Sequence, residues 1–451
     1  MKNILSSILF LIISGSGFSQ NLISIPDPQI QKMSSEVSAQ NIEAIVRKLV
    51  TFQTRHSLSD TTSATTGIGA ARNWIKSELE RYAKASNERL KVKFDPFIQP
   101  ADGRRITAPV AMKNVLAILP GSDPEDDRIF IVTGHYDSRA SDVMDSKSFA
   151  PGANDDASGT AAVMEMARVM SKYKFNATII FGALVAEEQG LYGAAHLAQR
   201  AKKQKWNVEG MITNDIIGNT YGMETGLKDN RSVRVFSEGV PAMESEQDAL
   251  LRSSTGGEND SQARQFARYL KEVGERYVDQ LDVKLIYRKD RYLRGGDHTA
   301  FSREGFSAIR VTEMNEDFTR QHQNVRTENG IEYGDLPDFV DYTYTQKVTR
   351  MNLVSLANLA LAPQKPQNVS VLTSGLTNRT TLQWETPKGE KPLGYYVTMR
   401  ETSSPVWQKK FFINDIKATL NYSKDNFIFG VQSVDAAGHE SMVVIPKPVS
   451  R

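Results

Sequence analysis

The chain has 451 residues, 40% of them hydrophobic and 24% charged, a globular balance with enough length for two or three domains and one large core. Its formal net charge of +2 gives no general basic field for nucleic acid. It contains no cysteine, which excludes disulfides, thiolate zinc sites and cysteine nucleophiles.

The first residues read as a secretory signal. Lys2 supplies a positive start, Ile4 to Ile13 a short apolar run, and Gly17 and Ser19 the small residues that precede a cut after Ser19. The run is too short for a comfortable membrane span, and no later stretch reaches one. The mature protein is therefore expected outside the cytoplasm, secreted or periplasmic, with no stable membrane span. Asn21 to Ser38 reads as a polar arm.

Helical apolar spacing follows at Ile42 to Thr51 and Ala70 to Tyr82. Strand-like and helical segments then alternate. Val115 to Leu119, Ile129 to Thr133, Ala177 to Val185, Gly210 to Ile217, Val283 to Tyr287 and Ala308 to Thr312 read as strands. Ser158 to Tyr173, Gly193 to Lys203 and Asp338 to Leu361 read as helices. Alternation of this kind predicts an α/β domain with a mixed, mostly parallel sheet flanked by helices. The stretch 220–258, rich in Gly, Glu and Ser, reads as a surface insertion. Pro363 to Pro366 breaks the pattern, and short alternating strands follow, marked by Leu382, Trp384, Tyr395, Val397 and Phe427 to Val434. Residues 364–451 are thus expected to form a small all-β sandwich.

Five polar motifs stand beside these strand ends, where open α/β sheets bind ligands. His135-Tyr136-Asp137 puts two side chains on one side of extended backbone, so that Asp137 could orient a metal-binding His135. By itself the pair reads more readily as a surface histidine. Asp155-Asp156 opens a helix; one carboxylate is an ordinary cap, but two adjacent ones repel without a cation. Glu187-Glu188 follows the most apolar strand, where unpaired charge is costly, although a solvated loop is the plainer alternative. Asp215 sits inside a predicted strand, against its propensity. Gly296-Asp297-His298 closes the set. Two histidines with carboxylates suit a catalytic zinc site. Two Zn²⁺ ions would be balanced by Asp155, Glu188, Asp215 and a hydroxide, leaving Glu187 free as a base. His56, His196 and His439 read as bystanders.

The ordered series His135-Tyr-Asp137-Ser, Asn154-Asp155-Asp156-Ala-Ser-Gly, Glu187-Glu188-Gln-Gly-Leu-Tyr-Gly, Asn214-Asp215-Ile-Ile-Gly and Gly296-Asp297-His298 resembles the M28 family of zinc exopeptidases, over roughly residues 40 to 362. The resemblance implies two zinc ions per chain. His135 and Asp215 would bind one, Glu188 and His298 the other, and Asp155 both. Glu187 would take a proton from the attacking water, which both metals share, and pass it to the leaving amine. Asp137 would orient His135, and a non-proline cis bond would follow Asp155. Peptides with a free N-terminus are the expected substrates. Arg291, Arg294 and His322 are candidates for holding the oxyanion. The C-terminal strands, with Pro366, Trp384, Tyr396 and the run Gly430 to Glu440, resemble a fibronectin type III module whose partner is unknown. The expected organisation is a signal at 1–19, a peptidase domain at 20–363 and the β-sandwich at 364–451.

Three other readings fit parts of the pattern. A glutaminyl cyclase would use one zinc on a similar fold. A carboxypeptidase would need a basic cluster, for which Arg291, Arg294, Arg303 and Arg310 are available. A non-catalytic binding protein would not need Glu187.

Overall fold

A computed structural model describes residues 25–449, and the signal expected at 1–19 lies outside them. Within that range no helix is long and apolar enough to cross a membrane. One sheet holds β1 (Lys91–Gln99), β2 (Val110–Leu119), β3 (Arg128–His135), β4 (Thr178–Leu184), β5 (Asn207–Asn214), β6 (Ser232–Ser237), β7 (Asp282–Ile286) and β8 (Ala308–Glu313). Their spatial order is β1-β2-β4-β3-β5-β8-β6-β7. The central run β4, β3, β5, β8 is parallel throughout. On its flanks β2 joins β4, β1 joins β2, and β6 joins β8 in antiparallel pairs, with β7 parallel to β6.

The unbroken apolar run of β4 reflects burial on both faces. Ile179, Phe181 and Ala183 pack toward α1 (Pro28–Ser35), α2 (Ala39–Val50), α3 (Gly67–Ala85), α4 (Gly159–Met170), and two helices later in the chain, α7 (Gln262–Tyr277) and α9 (Tyr342–Leu361). Ile180 and Leu184 pack on the other face, toward α5 (Tyr192–Lys203) and α8 (Asp297–Arg303). The mixed, mostly parallel sheet between helices is the architecture that the alternating sequence predicts.

The structure corrects three local expectations and adds one strand. The polar arm contains α1, capped by Asp27 and anchored only by Ile30 and Met33, too few apolar residues to show a period. β1 carries Pro96 and three charged residues, which suit an edge strand but mask its alternation. The stretch 220–258 is not wholly an insertion, since β6 lies inside the main sheet with Val233 and Val235 buried. α6 (Glu246–Thr255), by contrast, buries no residue. Asp215 follows β5 and does not sit within a strand, because β5 ends at Asn214.

After α9 the chain forms two further sheets. One orders Lys417–Leu420, Thr380–Glu385, Gln367–Leu372 and Lys447–Val449, and the other orders Lys409–Ile413, Gly394–Glu401 and Phe427–Val434. Leu382, Trp384, Val397 and Val431 form their shared core. Buried charges tie this module to α7. Arg400 donates to both carboxylate oxygens of Asp260 at 2.8 Å, and Arg268 reaches the same carboxylate at 3.2 Å. Glu440 accepts from Arg276 at 3.1 Å and Lys410 at 3.0 Å. Pairs this deeply buried fix one geometry, because breaking one strands a desolvated charge.

Candidate metal centre

Four adjacent parallel strands deliver their carboxyl ends to one edge of the sheet, and each brings polar groups there. His135 is the last residue of β3. Glu187 and Glu188 follow β4, and Asp215 follows β5. The loop after β8 returns His322 to the same place, and Asp155 enters from the irregular turn Ala153–Ser158 that opens α4. Ala186 and Ile216 both have φ 62°, a left-handed conformation disfavoured for residues with a Cβ and concentrated at functional sites. They turn the chain beside Glu187 and Asp215. Glycine is required where β3 meets α4: a Cβ on Gly134 would lie 2.4 Å from the backbone of Gly159.

Two ligand groups result. His135, Asp155 and Asp215 form one; Asp155, Glu188 and His322 form the other; within each, the ligand atoms lie within 4.8 Å of one another. Asp155 divides its two oxygens between them. Oδ1 is 3.1 Å from His135 Nε2, and Oδ2 is 2.9 Å from His322 Nε2. Glu188 Oε1 is 2.8 Å from the same His322 nitrogen. His135 Nε2 is buried and faces the point the carboxylates surround, with Asp215 Oδ1 4.0 Å away beside the nearer Asp155 oxygen. Nitrogen and oxygen donors in two groups with a shared carboxylate fit a pair of divalent cations.

The electrostatics agree with that fit. Burial, and then the charges of Asp215, Glu188 and Asp297, push the Glu187 carboxyl well above its ordinary range. Burial disfavours the charged form of His322, but Glu188 and Asp155 outweigh it and raise the group to about 10. The pocket thus favours positive charge between its carboxylates.

Supporting groups hold these side chains in place. Asp137 lies close to His135: its carbonyl oxygen is 3.2 Å from Nδ1 and its carboxylate 3.5 Å. That carboxylate also accepts from the backbone N–H groups of Glu187 at 3.2 Å and Glu188 at 3.3 Å. The Asp155–Asp156 peptide bond is cis. Asp156 turns away from the ligand groups and accepts from the N–H groups of His135, Gly159 and Ile216.

His298 is a correction. It joins neither ligand group. Its Nε2 lies 2.8 Å from the Lys289 carbonyl oxygen and 3.5 Å from Asp290 Oδ2. Burial, helped by the Arg310 guanidinium, lowers it to about 4. Arg310 in turn is 3.0 Å from Asp215 Oδ2 and 3.5 Å from Asp290. His298 therefore belongs to a brace behind Asp215, and His322 takes the position expected of it.

Sequence reasoning also missed Gln321, whose Nε2 donates to Asp155 Oδ2 at 3.0 Å. It missed Asp335, which accepts from the N–H groups of Asn154 and Asp155. Neither stands at the end of a strand expected from the sequence or in a motif, so only its position beside His322 could have marked Gln321. Of the oxyanion candidates, Arg291 is engaged with Asp290 and Glu316, and Arg294 with Glu316. His56 is buried against Val143 and Gln189, His196 pairs with Asp95, and His439 pairs with Asp27 and Asp435, all outside the ligand groups. A cavity of about 820 Å³ opens over Asp155, Glu187, Glu188, Asp215 and His322.

Comparison with known proteins gives a consistent picture. Residues 114–348 match the model of peptidase family M28. A probable zinc metalloprotease of Leptosphaeria maculans is 48% identical over 424 residues, 94% of this chain and 98% of that protein. One from Pyricularia oryzae is 46% identical over 94% of this chain and 85% of its own length. Among solved structures, the LapA aminopeptidase of Legionella pneumophila superposes with a TM-score of 0.52 at 19% identity, covering 74% of this chain and 75% of that one, a likeness of fold. With the family model spanning more than half of the sequence and these relatives nearly all of it, the chain belongs to peptidase family M28.

Proposed function

We propose that the chain is a zinc-dependent exopeptidase that removes N-terminal residues from peptides with two zinc ions. The observation that carries the reading is the division of Asp155 between two buried ligand groups beside an open cavity. His135 and Asp215 would hold one ion, Glu188 and His322 the other, and Asp155 both. Zinc bound there supplies Lewis acidity toward the scissile carbonyl and acidifies a water. Glu187 lines the cavity without belonging to either group, which leaves its carboxylate free to take a proton and return it to the departing amine. Asp137 fixes the Glu187 and Glu188 backbone along with the His135 ring. Residues 1–19 would direct the protein out of the cytoplasm, and the C-terminal module, read as fibronectin type III-like, would brace α7.

Matched peptides with a free, acetylated or amidated end test the reading. Acetylation of the N-terminus is expected to abolish cleavage, and amidation of the C-terminus to leave it in place. Exhaustive chelation is expected to remove activity and zinc to restore it. Cleavage of the acetylated peptide but not the amidated one would establish a carboxypeptidase instead, a reading that the arginines around the cavity favour. Turnover surviving chelation would overturn the metal mechanism.

A further inference from the structure

The cavity over the ligand groups is lined by four carboxylates, and the function proposed above uses all of them: three as ligands and Glu187 as base. No further carboxylate lines it among the described residues. Its rim is instead cationic. Arg104 and Arg105 come from the connection between β1 and β2, Arg139 from the turn after β3, Lys289 from the segment after β7, and Arg303 from the end of α8. Four distant segments thus bring positive charge to one opening in a chain whose formal net charge is only +2.

Most of these cations have no acidic partner. Arg104 and Arg303 make no ion pair among the described residues, and Lys289 makes no close one, although its charge is felt by the Glu238 carboxylate. Arg105 donates to the Glu188 carbonyl oxygen at 2.5 Å, and Arg139 to the carbonyl oxygens of Ala140 and Ser141. Both therefore keep their full charge. Arg291 and Arg294, also on the rim, differ in sharing Glu316. Structural arginines are usually paired in that way, and a concave site ringed by unpaired cations attracts and orients an anion.

We infer that this rim is a carboxylate-binding subsite, and that the enzyme acts on short peptides that present a carboxylate a residue or more away from the bond cleaved. The inference rests on the peptidase reading and adds the substrate class. The carboxylate could be an acidic side chain or the C-terminus of a di- or tripeptide.

Three otherwise matched tripeptides separate these sources: a neutral one with an amidated C-terminus, its free acid, and an amidated one carrying Asp. For the zinc-loaded full chain, at least one anionic peptide is expected to show kcat/KM about tenfold above the neutral amide, a preference that shrinks as salt rises. Arg104→Gln with Lys289→Gln is expected to bring that ratio toward one, with zinc content retained. Binding of the preferred anionic tripeptide, measured by calorimetry, is expected to weaken about tenfold in the same variant. Efficient cleavage of all three peptides at equal kcat/KM would overturn the inference and leave the peptidase intact. If no peptide is cleaved, the peptidase reading fails, and the calorimetry still decides the rim: affinity equal in both proteins would overturn the carboxylate subsite.

Discussion

Glu187→Gln is expected to lower kcat by ~10²–10⁴-fold, the range of a lost general acid–base, while zinc content is unchanged. Glu187 lines the cavity, stands outside both ligand groups, and is presented by a backbone N–H held on Asp137. The amide keeps the size of the side chain and removes its ability to carry a proton. Loss of zinc in this variant would reassign Glu187 as a ligand, and full turnover would remove it from the mechanism. Quantifying bound zinc alongside single-turnover rates distinguishes these outcomes.

The second large effect separates two histidines. His322→Ala removes a nitrogen that lies 2.8 Å from Glu188 and 2.9 Å from Asp155, and is expected to cost one zinc ion and more than ~100-fold in kcat/KM. His298→Asn disturbs only the brace through Asp290 and Arg310, and is expected to keep both ions and lose at most ~10–100-fold. Zinc analysis of the two purified variants checks the contrast. The reverse pattern, with His298→Asn losing the ion, would restore the assignment made from the sequence.

That assignment shows where sequence reading works and where it stops. Asp155, Glu187, Glu188 and Asp215 are legible because each lies within four residues of a strand end or helix start whose apolar pattern is plain. The parallel central strands then carry them to one edge. His298 misleads for a related reason. Gly296-Asp297-His298 also stands at a helix start, but the ring nitrogen is taken up by the Lys289 carbonyl, a contact between residues nine apart that no periodicity announces. His322 is hidden in a loop that begins after Glu313 at the end of β8, with only short-range turns around it. Its role follows from where that loop returns, which is a tertiary fact. The same holds for β6, whose Ser and Arg residues disguise an inner strand, and for Arg310, fully buried on β8 because it braces Asp215.

The central claim is that five side chains hold two cations about a shared Asp155. Anomalous scattering at the zinc edge, from crystals of the full chain grown with zinc, tests it most directly. Two peaks are predicted, one enclosed by His135, Asp155 and Asp215 and the other by Asp155, Glu188 and His322. A single peak, or a peak against His298 with none at His322, would contradict the account.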